Sequence, residues 1–542
     1  MGHKNSCHKK NLSRRDFLSF MGMSTGLPLL QTPLQILIES IVLGAHQKAM
    51  AQSSGLKPRK YLHILQEGAP PRWNFDLFLT PYSSAGFVAN AQLGTTYVKS
   101  GSSTSLAYTT TVKKNINVPL LWQFNVPAAN GGTRSMDPLL DNLLQLRGIE
   151  VGNPDHGAAQ QLQFVPLGAA QSMSALAADI SSAPIPGINL SLEQYQFKSQ
   201  ASKSAITVPN GSNMISTLLT PFVRNNSSSF ETKRKTLGAA LDSAISLLNQ
   251  AATTQNAGAV SLATSTQAAS DLLSKGFGDL DSIWTNLFNK YNSLVTRSLD
   301  PMQSLPGIND QAIASDGTTK FQINGNIVSS PDIRTMMTTS CKVTRLAAHF
   351  AVAEYVLLNN LSDSISIGPG GMEGLNINNS SARLGTDEHE TSGTISLMVN
   401  SFLNLAYAAC LLELMDQLKA KNIFNETVIV MGGEFGRSPR KDATGSDHGY
   451  LGSSSSIYCG ALAGPMILGN IYNLKGQSDA DAGTWGRGAP VTQLGRALNQ
   501  SDWASTVAFL LRSPSPTTAA TSLLAANPDG SISSLIEKAR QI

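Results

Sequence analysis

Thr427-Val428-Ile429-Val430-Met431-Gly432-Gly433-Glu434-Phe435-Gly436-Arg437-Ser438-Pro439-Arg440 is the stretch on which the fold turns. Its first five residues are a continuous β-branched and apolar run, the pattern of a strand covered on both faces, as in parallel sheets. The glycines and Glu434 follow where that strand should end. In open α/β sheets ligands bind beyond the carboxyl ends of the strands, so Glu434 stands at a predicted ligand position.

Working outward, Ser392 to Lys421 has the apolar spacing of a long helix, and Ser364-Ile365-Ser366-Ile367 reads as a strand. Arg334 to Leu358 and Trp503 to Leu511 read as helices, and Ile457 to Leu468 as a strand pair. Tyr61-Leu62-His63-Ile64-Leu65 reads as the first strand, followed by the breakers Gly68, Pro70 and Pro71. Residues 80–135 read as loops and short strands. Met136 to Leu146 has helical spacing with a start signal at Asp137-Pro138, and Gly148 to Val151 reads as a short strand. Leucines recur at three or four over 230–300, marking a helical region. Strands alternating with long helices predict an α/β fold with a mostly parallel central sheet, flanked by helices, in a single domain over 61–542 with a helical insertion at about 160–330.

The N-terminus predicts export. Ser13-Arg14-Arg15-Asp16-Phe17-Leu18 precedes an apolar run to Leu43, and Ala49-Met50-Ala51 offers a small-x-small cleavage site before Gln52. The paired arginines resemble the address read by the twin-arginine translocase, which is then the partner during export. Residues 1–51 are the expected signal peptide and 52–60 a linker, placing the mature chain in the periplasm or outside the cell. Glu39, Pro28 and Pro33 interrupt the apolar run, against the ~20 mostly apolar residues of a spanning helix. No membrane anchor is expected after cleavage.

Removing the signal changes the charge. The chain has 40 Lys and Arg against 36 Asp and Glu, and residues 1–51 hold six of the former and two of the latter. The mature chain therefore carries 34 of each. With no basic run after the signal, nucleic acid is not an expected partner. Cys7 leaves with the signal, and Cys341, Cys410 and Cys459 are too widely spaced for a Cys-based zinc site or a disulfide framework; they read as buried small hydrophobes, with one disulfide open to them in an oxidising compartment. There is no Gly-x-Gly-x-x-Gly after a strand and no haem or iron–sulfur cysteine pattern, which counts against an oxidoreductase.

Candidate chemistry gathers in the last third. Gly385-Thr386-Asp387-Glu388-His389-Glu390 precedes the long helix, and an extended backbone there would turn Asp387 and His389 to the same side. Gly445-Ser446-Asp447-His448-Gly449 follows the Glu434 segment. Mixed carboxylates and imidazoles are a ligand set for Zn²⁺, Mn²⁺ or iron. Of the five histidines after the signal, His156, His389 and His448 lie in glycine-rich stretches beside or near an Asp, whereas His63 and His349 fall inside a strand and a helix and read as structural.

The 427–440 segment with the later Asp447-His448 resembles a family of secreted bacterial proteins, the domain of unknown function 1501, which falls in the alkaline phosphatase and sulfatase-like superfamily. Asp387-x-His389, Asp155-His156-Gly157-Ala158 and the helix at Asp502 to Leu511 fit the same pattern. The resemblance implies an alkaline phosphatase-like scaffold holding a divalent metal (zinc, manganese or calcium), with Asp387, His389, Glu434, Asp447 and His448 as ligands. It also implies a metal-dependent hydrolase of phosphate or sulfate esters, a small-molecule or envelope oxyanion ester being the substrate. His156 would then be catalytic, and Arg437 would clamp the oxyanion, since a guanidinium fork suits phosphate and sulfate. Two departures stand out. The superfamily's first strand ends in a metal-binding Asp, and in Glu67-Gly68-Ala69-Pro70-Pro71-Arg72-Trp73-Asn74-Phe75-Asp76 only Asp76 can match it. The superfamily's Ser, Thr or Cys nucleophile begins an early helix, and Gly152-Asn153-Pro154-Asp155-His156-Gly157 has no hydroxyl or thiol. The alternative is a catalytically inactive cell-envelope or binding protein that retains the fold.

Overall fold

A computed structural model describes residues 58–78, 98–100, 103–105, 110–153, 155–223, 280–299, 320–323, 326–329, 341–368, 393–439, 446–449, 452–472 and 487–539. The export signal at 1–51, Asp387 and His389 lie outside the described residues.

Eight strands form the central sheet: β1 (Lys60–Gln66), β2 (Leu143–Ile149), β3 (Gly187–Leu190), β4 (Ala205–Thr207), β5 (Ser364–Ile367), β6 (Thr427–Gly433), β7 (Ser453–Tyr458) and β8 (Met466–Leu468). Their order is β4-β3-β5-β1-β6-β7-β2-β8. Pairing is parallel from β4 through β6, β7 runs antiparallel to both its neighbours, and β8 is parallel to β2. The protein is thus α/β with a mostly parallel sheet, and β1 and β6 lie at its centre.

Helices cover both faces, which is why β1, β2 and β6 are buried at every residue. On one face, α3 (Met214–Val223), α4 (Leu280–Ser298), α5 (Cys341–Leu358) and α6 (Gly393–Ala420) pack on Leu62, Ile64, Ile365, Ile429 and Met431. On the other, α2 (Met173–Ile180) and α7 (Gln500–Leu511) pack on Tyr61, Val428, Val430 and Ile457. The alternation of residues along β1 and β6 sorts these side chains to opposite faces. Helix α1 (His156–Phe164) lies on the second face, its Phe164 against Leu65 and His63.

Several elements differ from the sequence reading. The Met136 to Leu146 pattern is a 3-10 helix at Asp137–Asn142, then β2 from Leu143. Its leucines satisfy a sheet buried on both faces as well as a helix, and burial of every β2 residue decides the outcome. The 160–330 segment is not helical throughout, because β3 and β4 within it are strands of the main sheet. The linker ends earlier than expected. Arg59 is buried and donates from Nε to Asn425 O and from Nη1 to Leu510 O, both at 2.8 Å.

Strand β7 reads Ser453-Ser454-Ser455-Ser456-Ile457-Tyr458 and is buried throughout. Its hydroxyls serve both faces: Ser456 Oγ donates to Asp76 Oδ2 at 2.7 Å, and Trp503 Nε1 donates to Ser455 Oγ at 3.1 Å. Cys410 and Cys459 are free thiols buried in the two different cores, on opposite sides of the sheet. Among the described residues no helix is long and apolar enough to cross a membrane.

Candidate functional site at the strand ends

Two short turns build the site. The chain leaves β1 through Glu67 and Gly68, with Gly68 at φ +82 and Ala69 at φ +44, both in the left-handed region. That bend turns the Gly68 N–H toward the end of β6. There Glu434 is fully buried, and its Oε1 accepts from Gly68 N at 2.7 Å and from Gln160 Nε2 at 2.6 Å. Its Oε2 meets Nδ1 of His156.

His156 is the first residue of α1, not a loop residue. Asp155 caps the helix by accepting from Ala158 N at 2.9 Å, which fixes where the helix begins. Gln160 lies one turn after His156 on the same helix face, so both reach Glu434. A carboxylate can only accept, so this contact places the Nδ1 proton on His156 and leaves Nε2 as the electron-pair side of the ring.

His448 joins His156 from a hairpin of Gly436–Pro439 and Ser446–Gly449, where it pairs in register with Arg437. The two imidazoles stand edge to face with centroids 4.8 Å apart. Phe435 is the floor beneath both, 4.9 Å from His156 and 4.6 Å from His448. It is itself packed with Ala69, Val151 and Ala159. The hairpin approaches closely, since a Cβ on Gly436 would stand 1.6 Å from Gly452 O.

Arg437 does not face outward with its whole fork. It is buried, and its Nε and Nη2 donate to Ala69 O and Gly68 O, each at 2.8 Å, holding the loop that presents the Gly68 N–H. Asp76, the one match for a first-strand ligand, is also buried and is spent on Arg72. It accepts from Arg72 Nε at 2.5 Å, from Arg72 Nη2, and from Ser456.

Of the seven residues singled out from sequence, the structure therefore brings together His156, Glu434, His448 and Arg437. Asp447 sits in the hairpin opposite Ser438, with only its backbone described. Among the described residues no three His, Cys, Asp or Glu side chains form a group able to hold a metal. The donor chemistry still suits half of one: two neighbouring imidazoles, one oriented by a buried carboxylate, which is the usual outer support of a metal-binding histidine. Gln160, Phe435 and Arg72 were not foreseen. The helical spacing of Gln160 from His156, and the four-residue spacing of Arg72 and Asp76, were their only signals.

His63 and His349 are structural in surroundings. Burial pushes each imidazole down to about 3. His349 Nε2 lies 3.0 Å from Asn210 Oδ1, and His63 sits between Tyr61 and Phe164.

The model of one protein family, described as a protein of unknown function (DUF1501), matches residues 403–483. The match spans most of α6, β6, the hairpin, β7 and β8, and so holds Glu434, Arg437, Asp447 and His448 but not His156 or Arg72. No curated protein and no solved structure matches the chain.

Proposed function

We propose that the chain is an exported metal-binding protein on an alkaline phosphatase-like scaffold, acting as a hydrolase of phosphate or related oxyanion esters. The observation that carries this reading is the buried Glu434 carboxylate on Nδ1 of His156, with His448 beside it at the ends of the central strands. Glu434 acts through His156, fixing its tautomer and ring orientation. His156 and His448 are the described donors, and Asp387, His389 and Asp447 complete the set. A bound zinc, manganese or calcium would stabilise charge on the oxygens of an in-line displacement. Arg437 keeps the 67–71 loop folded over Glu434. Passage through the twin-arginine translocase delivers the folded protein to the periplasm or beyond.

The test is the metal content of the purified mature chain, residues 52–542, by elemental analysis. Stoichiometric metal in the wild type and its loss in His448→Ala are expected. A metal-free wild type whose melting temperature does not respond to added Zn²⁺, Mn²⁺ or Ca²⁺ sinks the reading.

One observation favours a second reading, a binding or envelope protein without catalysis: helix α1 opens with Asp155-His156-Gly157, and no hydroxyl or thiol stands at its first turn. Hydrolysis of aryl phosphate or sulfate esters by the metal-loaded chain, lost in His448→Ala, decides against it.

A further inference from the structure

Three Asn-Gly pairs occur in the chain: Asn130-Gly131, Asn210-Gly211 and Asn324-Gly325. Asparagine is a thermolabile residue. Its side-chain amide is most open to attack by the next backbone nitrogen when that residue is glycine, which puts no Cβ in the way. Asn324 and Gly325 lie outside the described residues. The structure treats the other two pairs in opposite ways.

Asn130-Gly131 is tied down. The Gly131 N–H donates to Ala128 O at 3.1 Å, and Asn130 Oδ1 accepts from Gly132 N at 3.0 Å. Arg297 on α4 clasps the same turn, donating to the carbonyls of Ala128, Gly131 and Gly132 at 2.9, 2.7 and 2.6 Å. The attacking nitrogen and the target side chain are both engaged.

Asn210-Gly211 is exposed, in the loop between β4 and α3. Among the described residues neither the Gly211 N–H nor Asn210 Nδ2, the group that must leave, has a hydrogen-bond partner. Asn210 Oδ1 is held instead, 3.0 Å from Nε2 of His349 on α5. His349 is fully buried, and burial keeps its imidazole neutral by pushing it down to about 3. An amide oxygen only accepts, so Nε2 carries the proton and donates it to Oδ1. This donor stands where negative charge develops when the side-chain carbonyl is attacked, as in an oxyanion hole.

We propose that Asn210 is a self-modification site, attacked by Gly211 with the help of His349 and converted to aspartate and isoaspartate in the folded protein. The Gly211 nitrogen bonds to Cγ of Asn210, the bond from Cγ to Nδ2 breaks, and ammonia leaves with the proton from the Gly211 nitrogen. Solvent water then opens the cyclic imide. Opening at Cγ leaves aspartate, and opening at the backbone carbonyl leaves isoaspartate. Nothing is oxidised or reduced, and no metal is needed. Each event sets a new carboxylate against His349, in a mature chain whose Lys and Arg otherwise equal its Asp and Glu. The loop thereby records the age of the molecule.

The mature chain is incubated at mildly alkaline pH, folded and in denaturant, and aspartate and isoaspartate at 130 and 210 are followed by peptide mapping with mass spectrometry. Folding should leave conversion at Asn210 at least as fast as in the unfolded chain and slow it at Asn130 at least tenfold. Gly211→Ala has room, since its methyl group would meet nothing nearer than Pro209 O at 4.0 Å. It should melt as the wild type does and slow conversion at 210 at least tenfold. His349→Leu should slow the reaction at 210 several-fold in the folded chain and leave the rate in denaturant unchanged. An intact Asn210 in the folded wild type, equal slowing of both sites by folding, or a rate that Gly211→Ala or His349→Leu leaves unchanged would each overturn the assignment. Should His349→Leu fail to fold, the folded and unfolded rates of the wild type decide alone.

Discussion

The Nε of Arg437 donates to the carbonyl of Ala69 over 2.8 Å, and Ala69 holds a left-handed backbone at φ +44. A bulky guanidinium here braces a strained turn, and the turn aims Gly68 N–H at Glu434.

Arg437→Lys should therefore act through the loop. Lysine keeps the charge but not the two-pronged donor geometry. Losing buried hydrogen bonds to two carbonyls should cost about 1–3 kcal/mol. Denaturant unfolding of wild type and variant measures it, and equal stabilities would show that the loop holds itself.

Glu434→Gln conserves shape and removes the acceptor charge from His156. Outer carboxylate partners of metal-binding histidines typically contribute 10–100-fold in affinity. A drop of that order in Zn²⁺ affinity, measured by competition with a chromogenic chelator, is expected with the fold retained. An unchanged affinity would detach Glu434 from metal binding.

Gly436→Ala should be far worse than its size suggests. The new methyl would collide with Gly452 O at 1.6 Å and Gly452 C at 2.5 Å, both backbone. The hairpin bearing Arg437 and His448 must move. Overpacking of this kind costs about 1–3 kcal/mol or more. The expected readouts are a lower melting temperature and reduced metal content together.

Acid should weaken the fold through His63 and His349. Burial lowers each to about 3 from the ordinary 6.5, so below 6.5 the unfolded chain takes up protons that the folded chain refuses. Stability from this source is complete above pH 6.5 and is lost progressively as pH falls toward 3. At pH 5 the loss is about 2 kcal/mol per histidine. His63→Leu should shrink the difference in stability between pH 7 and pH 5, which denaturation at the two values will show.

How legible this was in the sequence varied with the kind of signal. Strand β6, helix α6 and helix α7 were visible because one pattern, apolar and long, admits one structure. Met136 to Leu146 misled because closely spaced leucines satisfy either a helix or a doubly covered strand. Strands β3 and β4 escaped notice because each is short, and the strand pair read over Ile457 to Leu468 left out Ser453 to Ser456 of β7 because serine is not a strand former on average. The site divided in the same way. His156, Glu434 and His448 announced themselves as polar residues in glycine-rich surroundings. That Glu434 lies beneath His156, and that Arg437 is spent on a loop, depends on φ angles at Gly68 and Ala69 that no spacing encodes. Arg72 was hidden by its neighbours, since Pro70-Pro71-Arg72-Trp73 reads as a loop and not as the mount of a buried cation.

The four serines of β7 leave this strand nearly blind to its own alignment. Sliding it by one residue so that Ser454 and Ser455 take the places of Ser455 and Ser456 would put a hydroxyl under Trp503 and another against Asp76, as before, although every side chain would have changed face. Only Ile457 and Tyr458 would object, by moving to the wrong cores. The alignment of the one antiparallel strand in the sheet thus rests on its last two residues. Exchanging Ile457 and Tyr458 for serine would produce a strand with no preferred register, and the hairpin that carries His448 ends just before it.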